Sequence, residues 1–527
     1  MHKFYLFFIG LSLGITAVFS QTWKTYPYTP PGSLISFPQD EGRHVNEPVE
    51  WWYTTGHLTG TVTGKHYSYM LTYFYYPAGG SDGFRILTIS DDDNQNFYPE
   101  TAFLTYSHMA TDQLNIQAQV TGGGTEYWHN LYNGNQILPF QYELSATSAY
   151  VSLDLSYDTF KKPLILGDDG YLLQGANNYT YYYSQTGVDV TGSISFDGIT
   201  ENVSGTGWID RQYGSIMPST NNQYEWFSVQ LSNGMDFNLW NIFEGNQIPD
   251  NERYKILAGY IDENTQFTTA DFQLERLAFA YMPDQQQCYA QSWHLTSNLY
   301  NIDLVITTDY SNSEIWFPFR FYEGSTHITG TVDGQNVTGV GFAELLHHYE
   351  IPDLQILNGT HWNTSIPVQW QLNNPDDGNP LTYDLAYSTD QINFQPLVSG
   401  LSTTQYIWDT APFADGDVFW LKITGKSVDA TINGSAIKEI LYDSSAGINE
   451  NKTLSIRIYP NPAQNRLYLK APGIYRLEII DMKAKIVKII KIFSSDQVKI
   501  ELPDLQGVYM LKIYTSKGIT KRKIILE

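Results

Sequence analysis

The chain has 527 residues, enough for three or four domains, and its 42 % hydrophobic content excludes wholesale disorder. Aromatics reach 15 %, which favours β structure and grooves for apolar or ring-shaped ligands. The net charge of −25 disfavours a general nucleic-acid binder. A lone cysteine, Cys288, excludes an intrachain disulfide, a Cys-rich zinc site and a Cys-ligated iron–sulfur cluster. Charge changes sign along the chain. Residues 449–527 hold 15 Lys/Arg against 7 Asp/Glu, a net of +8, and the remainder stands at −33. Such a reversal marks a domain boundary.

In chain order, the first element is an export signal. Lys3 precedes an apolar run from Phe4 to Phe19, and Val18 and Ser20 occupy the −3 and −1 positions of a cleavage site before Gln21. The run is short for a membrane anchor and lacks a basic stop-transfer flank, so residues 1–20 are expected to be removed and no stable membrane insertion is expected.

The body then reads as short strands. His66–Tyr76 is Tyr-rich and partly alternating. Leu114, Ile116, Ala118 and Val120 alternate, as do Val151, Leu153 and Leu155, with Gly- and Asn-rich turns between the runs. Such spacing predicts an all-β protein of antiparallel meanders in barrels or sandwiches. Four clusters stand out: Glu50-Trp51-Trp52-Tyr53 with Gly56 and Leu58; Ser107-His108 with Ala110 and Asp112; Tyr182-Tyr183-Ser184 with Gly192, then Gly205, Gly207, Trp208 and Asp210-Arg211-Gln212-Tyr213-Gly214; and Tyr322-Glu323-Gly324 with Gly339, Gly341 and Glu344-Leu345.

On these clusters, residues 41–350 resemble the lipocalin-like family that includes carotenoid 1,2-hydratases (CrtC) and AttH-type secreted proteins. The resemblance implies two lipocalin-like barrels in tandem, over 21–200 and 201–354. A small barrel can hold one ligand in its mouth, among inward-facing side chains. The expected ligand-binding residues are Trp51, Trp52, Tyr53, His108, Trp208, Arg211 and Tyr213. Asp210 and Glu344 are the candidate catalytic carboxyls, since burial among aromatic rings raises a carboxyl pKa toward that of a useful proton donor. Equally, such carboxylates cap backbone N–H groups or pair with an arginine such as Arg211. The hydratase branch reads Asp-His-Asn-Trp where this chain has Asp210-Arg211-Gln212-Tyr213, so carotenoid hydration itself is doubtful. Arg211 cannot act as a proton donor, but it can pair with Asp210 or grip an anionic ligand.

Beyond Pro352-Asp353 the pattern changes. Trp370, the strand Leu381–Ser388, Trp408 and the strand Val418–Ile423 resemble a fibronectin type III or Ig-like sandwich over 355–446. Tyr459-Pro460-Asn461-Pro462, a strand ending at Asp481, Leu505-Gln506-Gly507-Val508-Tyr509 and the basic Lys521-Arg522-Lys523 end resemble the C-terminal sorting domain of the type IX secretion system. That resemblance covers 447–527. It implies a partner in the type IX secretion machinery and a secreted or surface-attached protein of a Bacteroidetes-type bacterium.

Nucleophile-elbow, His-Glu-x-x-His, P-loop and Gly-x-Gly-x-x-Gly motifs are absent, so no metal and no cofactor are expected. Two readings stay open. One is a secreted protein that binds an apolar or aromatic small molecule. The other is an acid–base lyase or isomerase, of hydratase or cyclase type, that acts on an isoprenoid or polyketide-like substrate with Asp210 as proton donor. Carbohydrate binding, suggested by the Trp content, lacks a supporting motif.

Overall fold

A computed structural model describes residues 22–78, 80–215, 222–249, 251–446, 456–483, 485–502, 505–515 and 518–527. The export signal expected over 1–20 lies outside them. The first sheet contains β1 (Val49–Gly60), β2 (His66–Ala78), β3 (Ser81–Asp91), β4 (Asn96–Met109), β5 (Asn115–Val120) and β6 (Thr125–Asn133). It continues with β7 (Gln136–Thr147), β8 (Val151–Thr159), β9 (Leu164–Ile165), β10 (Tyr171–Gln174), β11 (Asn178–Phe196) and β12 (Ile199–Gly214). Each of β1 to β7 pairs antiparallel with the next. β12 pairs with β1, and β11 pairs with both β12 and β8, which closes the ring. The division expected near residue 200 therefore falls inside the first barrel, which ends only with β12.

The second sheet contains β13 (Asn222–Leu231), β14 (Asp236–Glu244), β15 (Lys255–Asp262), β16 (Thr265–Thr269) and β17 (Gln273–Tyr281). It continues with β18 (Cys288–Ser297), β19 (Ile302–Thr308), β20 (Glu314–Ile315), β21 (Phe321–Val332) and β22 (Gln335–Leu345). Its main path runs from β16 to β17 through the central β13–β22 and β22–β21 pairs.

Alternation decides what each face does. In the first barrel Trp52, Leu58, Tyr69, Leu71, Tyr73, Leu87 and Ile89 point inward and fill the interior. In the second, Phe227, Val229, Phe237, Leu239, Ala343 and Leu345 do the same. The intervening residues face the other barrel: Tyr53, Met70, Phe84, Ile86 and Trp208 from the first, Trp226, Trp240, Ile242, Phe321 and Phe342 from the second. Together they form a third core between the barrels. Strands of this contact are covered on both faces, which explains why eight residues of Asp236–Phe243 in succession are buried. Among the described residues, buried side chains occupy both barrel interiors, where the ligand pocket was expected. The open space lies between the barrels.

Glycines allow the central strands to approach. A Cβ on Gly205 would sit 1.9 Å from the His57 carbonyl oxygen, and one on Gly341 would sit 1.9 Å from that of Ser228. Behind the barrels, a three-stranded and a five-stranded sheet spanning Leu354–Tyr442 enclose Trp362, Trp370, Trp408 and Phe419. The last sheet, from Arg457 to Leu526, closes over Leu467, Leu477, Leu511 and Ile524. There Asn461 gives its turn motif a mechanical role. Its Nδ2 donates to the Lys523 carbonyl at 3.1 Å, and its Oδ1 accepts from the Ile525 N–H at 2.8 Å, which ties the turn to the final strand.

Candidate functional site

A cavity of about 460 Å³ opens between the two barrels. Trp51, Tyr53, Phe74, Tyr182, Trp226 and Trp240 supply its aromatic wall, and Asp210 and Glu344 its carboxyls. On β12, Trp208, Asp210 and Gln212 share the face turned toward the second barrel. Ile209, Arg211 and Tyr213 share the opposite face.

Asp210 is fully enclosed. Trp208 Nε1 donates to its Oδ1 at 2.6 Å, and the Tyr182 hydroxyl donates to Oδ2. The Tyr182 oxygen accepts in turn from Asn238 Nδ2 at 2.6 Å and from Trp226 Nε1 at 3.1 Å, both on the second barrel. Burial pushes the Asp210 carboxyl up to about 7. Hydrogen bonds from Ser184, Tyr182 and Trp208 oppose that rise, and the nearby Glu344 charge adds to it. The acid is therefore poised to hold or release a proton near neutral pH.

A second acidic centre faces it. Glu323 on β21 lies directly opposite Glu344 on β22. Tyr53 donates to Glu323 Oε1 at 2.9 Å, and Tyr224 donates to Glu344 Oε1. Burial, and then the Glu344 charge, hold the Glu323 carboxyl well above the usual range, and burial also raises Glu344. Burial and the closeness of the two carboxyls both oppose their ionising together, which favours a proton on the pair.

Arg211 does not pair with Asp210. It points into the first barrel, where its guanidinium bonds Glu50, donates to the Gly42 carbonyl at 2.5 Å and lies 3.8 Å over the Trp52 ring. Burial alone would raise Glu50, but Arg211, His44 and Arg43 hold its carboxyl below the ordinary value. Trp52 shares that interior, with Nε1 donating to the Glu41 carbonyl at 2.9 Å. Tyr213 stacks on His44 at 3.4 Å, also away from the cavity. His108 is exposed on β4. Of the residues singled out in the sequence, the structure gathers Trp51, Tyr53, Asp210 and Glu344 on the cavity wall, with Trp208 behind Asp210. Arg211, Trp52 and Tyr213 belong to the first barrel's inner face, and His108 to its surface.

Sequence reasoning placed Tyr182 and Glu323 in motifs without giving them a site role, and it passed over Tyr224, Trp226 and Trp240. For Glu323 a signal existed. Asp333-Gly334 is a two-residue hairpin turn with both φ values positive, 51° and 71°. Such a turn sets the register of the strands on either side, and this register places Glu323 beside Glu344. Among the described residues, no three His, Cys, Asp or Glu side chains gather as a metal site requires.

The fold and site define a double-barrelled lipocalin-like protein whose cavity lies between its barrels. Residues 28–349 match the AttH-like family model, and the chain belongs to that family. Residues 457–527 match the secretion system C-terminal sorting domain, the type IX address that directs secretion or surface attachment. A solved structure described as an AttH protein from Nitrosomonas europaea is similar, with 21 % identity over 60 % of this chain and 99 % of that one, at a TM-score of 0.51. Kievitone hydratase from Nectria haematococca resembles it at 15 % identity over 61 % and 98 % of the two chains, with a TM-score of 0.49. The first likeness concerns the fold alone. No curated protein matches the chain. Among the described residues, no helix is long and apolar enough to cross a membrane.

Proposed function

We propose that this AttH-like protein is an exported acid–base lyase or isomerase of hydratase type, acting on an apolar, ring-bearing small molecule held between its barrels. The observation that carries this reading is the position of Asp210: on the wall of an aromatic cavity, hydrogen-bonded by Tyr182 and Trp208, with Arg211 committed elsewhere to Glu50. A carboxyl paired with arginine would be a poor proton donor. One paired with neutral donors and buried keeps its proton.

In a hydration, the Asp210 O–H bond breaks and its proton bonds to one alkene carbon through the π electrons. The neighbouring carbon becomes cationic beside the ring faces of Trp226 and Trp240. A water lone pair then forms the C–O bond, and the water's proton passes to the ionised oxygen of the Glu323–Glu344 pair. Alkene and water give an alcohol, and return of one proton from the pair to Asp210 restores the site. If a neighbouring C–H proton leaves instead, the same steps isomerise the alkene. A carotenoid hydratase (hydroxyneurosporene synthase-like) role is the weaker form of this reading, since Arg211 stands where that branch carries its histidine. We read residues 1–20 as a cleaved export signal and the 354–442 sandwich as a fibronectin type III-like spacer.

Binding without turnover is the second reading, favoured by the hydrogen bonds that already engage each carboxyl. Mass spectrometry of small molecules co-purified with the wild type and with Asp210→Asn separates the two. A molecule recovered in altered form only from the wild type is expected. The same unaltered molecule from both would leave a binding protein.

A further inference from the structure

The cavity wall also carries a pair of neutral amides that the acid–base chemistry does not use. Gln212 follows Asp210 by two residues on β12, so both occupy one face of the strand, about 7 Å apart along it. Gln212 is 0 % exposed and Gln174, on β10, 4 %. Both line the cavity. Gln212 Nε2 donates to Gln174 Oε1 at 3.0 Å. That bond leaves Gln174 Nε2 and Gln212 Oε1 buried and without a partner. Whichever way the two amides are turned, one N–H···O bond between them leaves one amide nitrogen and one amide oxygen unsatisfied. Buried polar groups in folded proteins almost always have partners, so an orphaned donor beside an orphaned acceptor points to a missing group that both accepts and donates.

Charge narrows the choice. An anionic ligand would meet Asp210 and Glu344 on the same wall. The guanidinium there, Arg320, is already engaged by Asp284 at 2.9 Å and by both carboxylate oxygens of Glu314. A pure hydrocarbon would leave the amide pair unsatisfied. We propose that Gln174 and Gln212 form a subsite for an uncharged hydroxyl on the ligand, which accepts from Gln174 Nε2 and donates to Gln212 Oε1. The ligand is then a neutral, ring-bearing alcohol or phenol. Its hydroxyl lies about 7 Å, the length of two strand residues, from the atom that faces Asp210. This inference rests on the cavity being the ligand site, and it is independent of whether turnover occurs.

Equilibrium dialysis of the full chain against 2-naphthol, 2-methylnaphthalene and 2-naphthoate tests it, since the three share a ring system and differ in one group. The wild type should bind 2-naphthol about tenfold more tightly than 2-methylnaphthalene, a difference of about 1.4 kcal/mol, and 2-naphthoate most weakly. Gln212→Leu and, separately, Gln174→Met should each abolish the preference for 2-naphthol without weakening 2-methylnaphthalene. Two variants guard against a folding defect in either. The subsite is refuted if the wild type binds none of the probes, if it favours 2-methylnaphthalene or 2-naphthoate, or if both variants keep the wild-type ratio. A preserved preference together with no turnover in the mass-spectrometric comparison would count against the catalytic reading alone.

Discussion

Asp210→Asn changes the pH dependence of stability in a way that follows from burial. In the unfolded chain Asp210 ionises near the ordinary 3.8, whereas in the folded protein burial delays this to about 7. Between these values the unfolded state binds fewer protons than the native state, so stability falls as pH rises through the window and levels off above it. The contribution is fully present below the unfolded value and is lost on passing the folded one. A displacement of about 3 pH units corresponds to about 4 kcal/mol in total, at about 1.36 kcal/mol per unit. Between about pH 5 and pH 8 the expected loss is about 2.5 kcal/mol, because part of the cost has already accrued at pH 5. Asparagine does not ionise, so the variant lacks this slope. It also presents an NH₂ group toward Trp208 or Tyr182, a mismatch that costs about 1–3 kcal/mol at every pH and leaves the slope unchanged. Glu41, which burial raises to about 7, titrates in both proteins and cancels in the comparison. Urea unfolding followed by the near-ultraviolet signal of the buried tryptophans, at fixed ionic strength from about pH 5 to 8, gives the two slopes. Parallel lines for wild type and variant would refute the argument that desolvation dominates at Asp210.

Two further outcomes are expected. Glu344→Gln removes the charge that helps raise Glu323, so Glu323 should ionise at lower pH, and the infrared band of a buried protonated carboxyl should disappear at a lower pH than in the wild type. An unchanged band would mean that the pair does not share a proton. Gly341→Ala forces a Cβ to within 1.9 Å of the Ser228 carbonyl, which no side-chain rotation relieves. Thermal unfolding should show the strands of the second barrel destabilised by about 2 kcal/mol or more, as backbone clashes in a packed sheet typically do, and an unaltered melting temperature would contradict the placement of β13 against β22.

Much of the architecture is legible in local pattern. Alternation in Tyr67, Tyr69, Leu71 and Tyr73 marks a strand and its inner face. Asp197-Gly198 and Asp333-Gly334 mark hairpins, and the Tyr459–Pro462 turn marks the secretion tail. Asp210 and Glu344 were visible as carboxyls set among Trp and Gly. The site's location was not. A pleat reveals which residues share a face, not which face meets another domain, so a cavity inside one barrel and a cavity between two barrels predict the same alternation. The clue passed over was that β1 carries large aromatics on both faces, Trp52 inward and Trp51 and Tyr53 outward, as a strand covered on both sides does. Arg211 illustrates the same limit. Its adjacency to Asp210 suggested an ion pair, but neighbours on a strand point in opposite directions, and the arginine bonds Glu50 on the adjacent strand β1, on the barrel's inner face.

Residue type and spacing thus sufficed for the strands, their inner faces, the turns and the export address, because each depends on contacts within a few residues or across one hairpin. The cavity, the pairing of Arg211 with Glu50 instead of Asp210 and the meeting of Tyr182 with Asn238 and Trp226 required the packed molecule. Register irregularity adds to this. The shift between Gln185 and Val188 sets Ser184, rather than Gln185, opposite Asp210, a displacement that an unbroken count from the Asp197-Gly198 turn would miss. Long-range packing alone chooses which two surfaces exclude water together, and exclusion of water is what raises an aspartate to about 7, where it can hold or release a proton near neutral pH.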